Sequence, residues 1–144
     1  MNTTTARDNR HYLVFTGHRI DTPNRATPRF PQRLEKQVAQ LIKLTVQQEL
    51  DRWGKHSLRA ISSGANGGDI LFLEACAALD ITADIYLALE QQAFCKASVA
   101  DGGADWARRF DRLCAHFPVH ILPQEADPAL NVWQRTNHWM LETA

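Results

Sequence analysis

The stretch Ser62-Ser63-Gly64-Ala65-Asn66-Gly67-Gly68-Asp69 places three glycines within five residues and an acid directly after them. Glycine reaches backbone angles that other residues avoid and lets amides approach a ligand with no Cβ in the way. Successive amides can form a nest for an anion. A helix starting there adds unpaired N–H groups and the positive end of its dipole. With the Ser62 and Ser63 hydroxyls, Gly64, Gly67 and Gly68 therefore suit a phosphate, a ribose or a carboxylate. Asp69 reads two ways: it caps the helix, or it accepts hydrogen bonds from ribose hydroxyls. The loop is neither GxGxxG nor a Walker loop, which needs GK[ST] after its spacer. A plain tight turn is the competing reading of the whole stretch.

A second group sits in FTGHRID. Gly17 ends an apolar run, so His18 and Arg19 emerge beside it. An arginine there can hold phosphate in a bidentate fork; the alternative is a surface ion pair. His18 reads as a ligand contact or as a histidine bonded to backbone. Asp21 follows at the same mouth, and Arg25 and Arg29 lie further out, in solvent. Glu74 interrupts an apolar run, where a carboxylate is costly unless paired or hydrogen-bonded. It is the candidate acid or base, against the reading of a narrow exposed stripe. Phe94 could cover a planar ring or belong to the core, and Ser98 could add a hydroxyl. Trp133, Trp139 and Met140 read as packing, with Asn137 among them in need of partners.

The elements that must position these groups follow from periodicity. His11 to Thr16, Leu58 to Ser62, Thr82 to Leu89 and Val119 to Leu122 are short β-branched or aromatic runs and read as strands. Helical spacing runs from Gln32 to a stop at Gly54, from Asp69 to about Leu79, from Trp106 to Phe117, and from Pro128 to Leu141. Asp127 suits the cap of the last helix, with Pro128 at its first position. The segment EQQAFCKASVADGG reads as a long loop. Strands alternating with helices predict a Rossmann-like α/β fold: an open parallel sheet of about four strands with helices on both faces. Ligands in such sheets sit outside the carboxyl ends of the strands, where strand order reverses. The last helix stops near Ala144, where a fifth strand often follows, so the sheet ends early or is completed by a partner. That leaves room for a homo-oligomer.

The bulk numbers set limits. The 144 residues predict one domain, spanning residues 11–144 after a loose polar segment at 1–10. Sixteen acids balance sixteen bases, which argues against a duplex nucleic-acid partner. Cys76, Cys95 and Cys114 form no CxxC pair, so neither a disulfide framework nor a metal site is expected. The N-terminal residues form no secretory signal, and no apolar run has membrane-spanning length. The expectation is a cytoplasmic protein.

FTGHRID, SGANGGDILFLEA, AFCKASVADGGADWARRF and NVWQRTNHWMLETA together resemble the SLOG superfamily of Rossmann-like domains, from roughly His11 onward. Within it the likeness is to nucleotide-sensing domains found beside signalling and effector modules. SGANGGD is also similar to the SGxARGxD stretch of DNA-processing proteins that load recombinase on single strands. Cytokinin-activating phosphoribohydrolases share the general architecture. The resemblance implies that Gly17, His18, Arg19, Ser63, Gly64, Gly67, Gly68 and Asp69 line a site for a nucleotide or a nucleotide-derived ligand. The PGGxGTxxE motif that supplies the phosphoribohydrolases' catalytic glutamate does not occur in this sequence.

Three functions therefore stand side by side. The first is a domain that binds and senses a small-molecule nucleotide without turning it over. The second is a nucleoside-monophosphate N-glycosidase with Glu74 or Asp69 as its acid–base group. The third is an interaction module that holds no ligand.

Overall fold

A computed structural model describes residues 10–123 and 131–144. Four strands, β1 (His11–Phe15), β2 (Leu58–Ser62), β3 (Thr82–Leu87) and β4 (Val119–Ile121), alternate with α1 (Glu35–Trp53), α2 (Gly68–Ala78), α3 (Gln91–Ser98), α4 (Ala104–His116) and α5 (Val132–Thr143). Short 3-10 turns precede α1 at Gln32–Leu34 and join α3 to α4 at Ala100–Gly102. All four strands are parallel and lie in the order β1-β2-β3-β4. The α/β class and the open parallel sheet expected from alternating periodicities are what the chain adopts.

The alternation of side chains along each strand builds two cores. Leu58 and Ala60 of β2, with Ala83, Ile85 and Leu87 of β3, face a large cluster with the side chains of α2 and α4. Ile61 and Tyr86 point the other way, to a small cluster closed by Met140 and Trp139 of α5. Each strand is added on the same side of the last, and right-handed crossovers then put the intervening helices on one face. α2 lies in the middle of that layer, against both α1 and α4. This explains why it is apolar almost all round: Ile70, Phe72 and Leu73 are fully buried, and each contributes roughly 1.5–3 kcal/mol. α5, which follows β4, supplies the second face.

Strand order never reverses among the described strands. The expected switch point is therefore absent, and a crevice must be built by loops and by α5. EQQAFCKASVADGG is not a continuous loop: it forms α3, capped by Glu90, whose side chain accepts the Ala93 amide at 2.8 Å. Eight residues give too short a period to register as helical, and Gly102 and Gly103 close behind mask the signal. α5 is capped at Asn131. Asn131 accepts the Gln134 amide at 2.9 Å and Gln134 Oε1 accepts the Asn131 amide at 3.2 Å, a reciprocal capping box. Asp127 and Pro128 lie outside the described residues, as do residues 1–9.

Candidate functional site

A crevice of about 550 Å³ opens over the carboxyl ends of β1 and β2. That volume lies within the range of small-molecule sites. Thr16 and Gly17 enter it from the end of β1, and Ser63 and Ala65 from the end of β2. Phe94, Ala97 and Ser98 of α3 form a second wall, and Trp133, Thr136 and Asn137 of α5 a third. α5 reaches the crevice because its inner face is anchored by Met140 against Ile61 and Tyr86.

Asp69 forms part of the lining from the first turn of α2. It is only 6% exposed. The residue does not cap α2: Gly67 holds the N-cap position, and no side chain bonds there. Instead Asp69 Oδ1 accepts the Gly17 amide at 3.0 Å, which fixes the turn out of β1. Burial pushes its carboxyl up to about 7, against the pull of the Gly17 and Ala65 amides. It is thus a carboxyl that changes charge near neutral pH within a ligand-sized hollow, the pattern of a functional group.

Arg19 lines the crevice mouth and pairs with Asp101 of the turn after α3. Both side chains are about 40% exposed, so water and small anions reach the pair. Asp101 also accepts from Asn66 Nδ2 at 2.9 Å. Asn66 is the residue that ties the three loops together. Its Oδ1 accepts the Ile20 amide at 3.2 Å, its Nδ2 donates to the Val99 carbonyl at 3.0 Å, and its own amide donates to the Ser98 carbonyl at 3.0 Å. An asparagine between glycines carries no periodic signal. Only its amide, able to donate and accept at once in a buried loop, marks it.

The glycines play a different part from the serines beside them. A Cβ on Gly64 would meet the Phe110 ring at 2.7 Å, and one on Gly68 the Gly17 Cα at 3.1 Å. Gly67 has φ +89°, and a Cβ there would lie 2.6 Å from the His18 carbonyl oxygen and the Ile20 nitrogen. The Gly68 amide donates to the His18 carbonyl at 2.9 Å. Gly64, Gly67 and Gly68 thus seat the loop against α4 and against the segment after β1, and none of the three lines the crevice. His18 takes part through its backbone, with its residue exposed.

Of the residues expected at the site, Gly17, Arg19, Ser63, Asp69, Phe94 and Ser98 meet at the crevice. Glu74 does not. It lies on the helix layer, bound through two oxygens to Arg109 at 2.6 and 3.1 Å. Phe94 is core as well as wall, stacked on Phe110 with ring centroids 5.7 Å apart. Trp133 reads in the sequence as packing, yet it is 42% exposed and lines the opening. Asp21 folds its own loop, accepting the Arg29 amide at 2.9 Å, and borders a separate hollow of about 300 Å³.

Among the described residues no cluster of His, Cys, Asp and Glu could hold a metal ion, and no helix is long and apolar enough to cross a membrane. No protein-family model matches the chain, and no curated protein matches it.

Proposed function

We propose that the chain is a binding domain for a nucleotide or a nucleotide-derived small molecule, held in the crevice between β1, β2, α3 and α5. The observation that carries this reading is the composition of that hollow: Arg19 at its mouth, the buried Asp69 in its wall, and the exposed face of Trp133 across from them. Arg19 suits a phosphate, exchanging Asp101 for the ligand's anion. Asp69 suits ribose hydroxyls as an acceptor. Trp133 offers a face for a base; stacking on an aromatic side chain is worth ~1–3 kcal/mol. Asn137 and Ser63 add polar groups that could read exocyclic atoms or sugar oxygens. The resemblance to nucleotide-sensing domains points the same way, and a sensing role would follow if the ligand drew Arg19 away from Asp101.

The test is a thermal-shift panel of nucleoside mono-, di- and triphosphates and cyclic nucleotides. A ligand at 100 times its Kd stabilises by about 2.7 kcal/mol, several degrees for a domain of this size. Arg19→Ala should weaken the response to phosphorylated ligands most, and Trp133→Ala should weaken it for every base. A panel with no shift at millimolar concentration refutes the proposal.

One observation favours turnover as a second reading. Asp69 lines the crevice with its carboxyl near 7, a value suited to general acid–base work. In an N-glycosidase it would protonate the departing base or activate water. Free base released from a nucleoside monophosphate, and lost in Asp69→Asn, would select this reading over binding alone.

A further inference from the structure

We infer that β1 and α1 form the interface of a symmetric dimer, in which the sheets of two copies join edge to edge into one of eight strands. β1 pairs with β2 on one side and with no strand on the other among the described residues. Natural edge strands are guarded by charge, proline or a bulge. His11–Phe15, HYLVF, carries no Asp, Glu, Lys, Arg or proline, and it pairs with β2 residue for residue. The His11 amide donates to Ser57 on the β2 side. Successive residues alternate in direction, so the amides and carbonyls of Tyr12 and Val14 face the open edge.

The helix beside this edge is equally unguarded. Between Lys36 and Glu49 the only charged residue of α1 is Lys43. Leu41 and Leu44 are 59% and 61% exposed, and Gln37, Gln40, Thr45 and Gln48 continue their stripe without charge. An apolar groove of about 210 Å³ runs between this stripe and the strand, lined by Leu13, Phe15, Leu41 and Thr45. Charge depletion of this kind marks the centre of an interface.

A second copy fits this surface for a geometric reason. A strand is always self-complementary when reversed, so a two-fold axis through Leu13 closes the edge. Tyr12 then pairs with Val14 of the partner subunit, and Val14 with Tyr12 of the partner subunit, in four backbone hydrogen bonds. The same axis keeps both helix layers on one side, so the Leu41 and Leu44 stripes meet. The 19 residues of α1 span ~28 Å, and sheet plus helix layer are ~20 Å deep. That side face is about 560 Å² in projection, so two copies together clear the ~1,000 Å² total that a specific interface needs. The exposed Ile121 on β4 could instead meet β1 of another copy, but such head-to-tail contacts form open chains.

Sedimentation equilibrium of the whole chain tests this. The expected mass is twice that of one chain at micromolar concentration. Leu44→Glu, at an exposed position, should give monomer with an unchanged circular dichroism spectrum, because two carboxylates would then meet across the axis. Val14→Pro, which removes an edge-facing amide, should do the same. Oxidised Leu13→Cys should give a covalent dimer, since Leu13 would face its counterpart at a spacing that suits a disulfide. A wild-type monomer, a dimer that survives Leu44→Glu, or species that grow with concentration would each overturn the inference.

Discussion

Asp69 Oδ1 accepts the amide of Gly17 at 3.0 Å, joining two residues 52 positions apart and locking the first turn of α2 to the end of β1. The bond makes a buried carboxyl both structural and titratable. Burial raises the Asp69 carboxyl to about 7 in the folded chain, the Gly17 and Ala65 amides opposing it. Unfolded, an aspartate titrates near ~3.9.

The sign of the pH effect follows. From roughly pH 4 to 7 the folded state keeps a proton that the unfolded state has released, so the Asp69 contribution falls as pH rises. It is complete below ~4 and gone above ~7. Asp69→Asn keeps an acceptor for Gly17 and removes the ionisation. The variant should gain on the order of 2–4 kcal/mol over wild type between pH 4 and pH 8. Urea unfolding of both proteins at the two pH values measures the difference, and a pH-independent difference would contradict the assignment.

Asn66 is expected to be among the most sensitive loop positions. Asn66→Ala would strip the buried Ile20 amide of its acceptor, and would leave the Val99 carbonyl with the Gly102 amide at 3.1 Å as its remaining donor. Leaving buried backbone groups unpaired costs ~1–3 kcal/mol each. The variant should lose roughly 1–3 kcal/mol, and hydrogen exchange should rise first in the segment around Ile20. A loss below about 1 kcal/mol, with exchange unchanged, would mean that the three loops hold together without it.

The glycines should rank by what a Cβ meets. Gly67→Ala forces φ +89° on an alanine and drives its Cβ into backbone atoms that cannot yield, so it should be the most damaging. Gly64→Ala meets the Phe110 ring, which can shift, at a cost of ~1–3 kcal/mol. Gly54→Ala has open space but must hold φ +81° with ψ 151°, a region only glycine populates freely, so it should cost ~1–3 kcal/mol as well and fall with Gly64→Ala below Gly67→Ala. Melting temperatures of the three variants give the order directly. If Gly64→Ala and Gly67→Ala are both tolerated, the loop is not seated as described.

What could be read from the chain depended on whether a residue's neighbours were local. The four strands and α1, α2 and α4 follow from the period of Leu, Ile, Val and Phe along the chain, and that period is set by burial on one face or both. α3 escaped because eight residues are too few to show a period. The glycine cluster was legible as a close approach of backbone, but the approaching partner was not. Phe110, Gly17 and the His18 carbonyl reach it from distant parts of the chain. The parts played by Asn66 and Trp133 are not legible for the same reason, since they lie in contacts that no local spacing encodes. Strand order is non-local in the same way, and the switch point expected of a doubly wound sheet has no counterpart in β1-β2-β3-β4.

The Glu74–Arg109 pair separates stability from function. Arg109 donates to Glu74 at 2.6 Å, lies 3.4 Å from Glu35, and sits 4.0 Å over the Trp106 ring. Its side chain is mostly buried, which lowers the pKa of the guanidinium, but the two carboxylates outweigh this and hold the pKa above its ordinary value. Arg109→Leu would leave Glu74 and Glu35 facing each other with no cation. Breaking a buried pair on one side is destabilising, and solvent access to both carboxylates reduces the cost here to ~1–3 kcal/mol. Glu74→Gln keeps a hydrogen-bond acceptor for Arg109 and should cost less. Because this cluster lies on the helix layer and not in the crevice, neither substitution should alter the Kd of a crevice ligand measured well below the melting temperature. A Glu74→Gln protein that folds normally but loses ligand binding or base release would place the chemistry at Glu74 and remove it from Asp69.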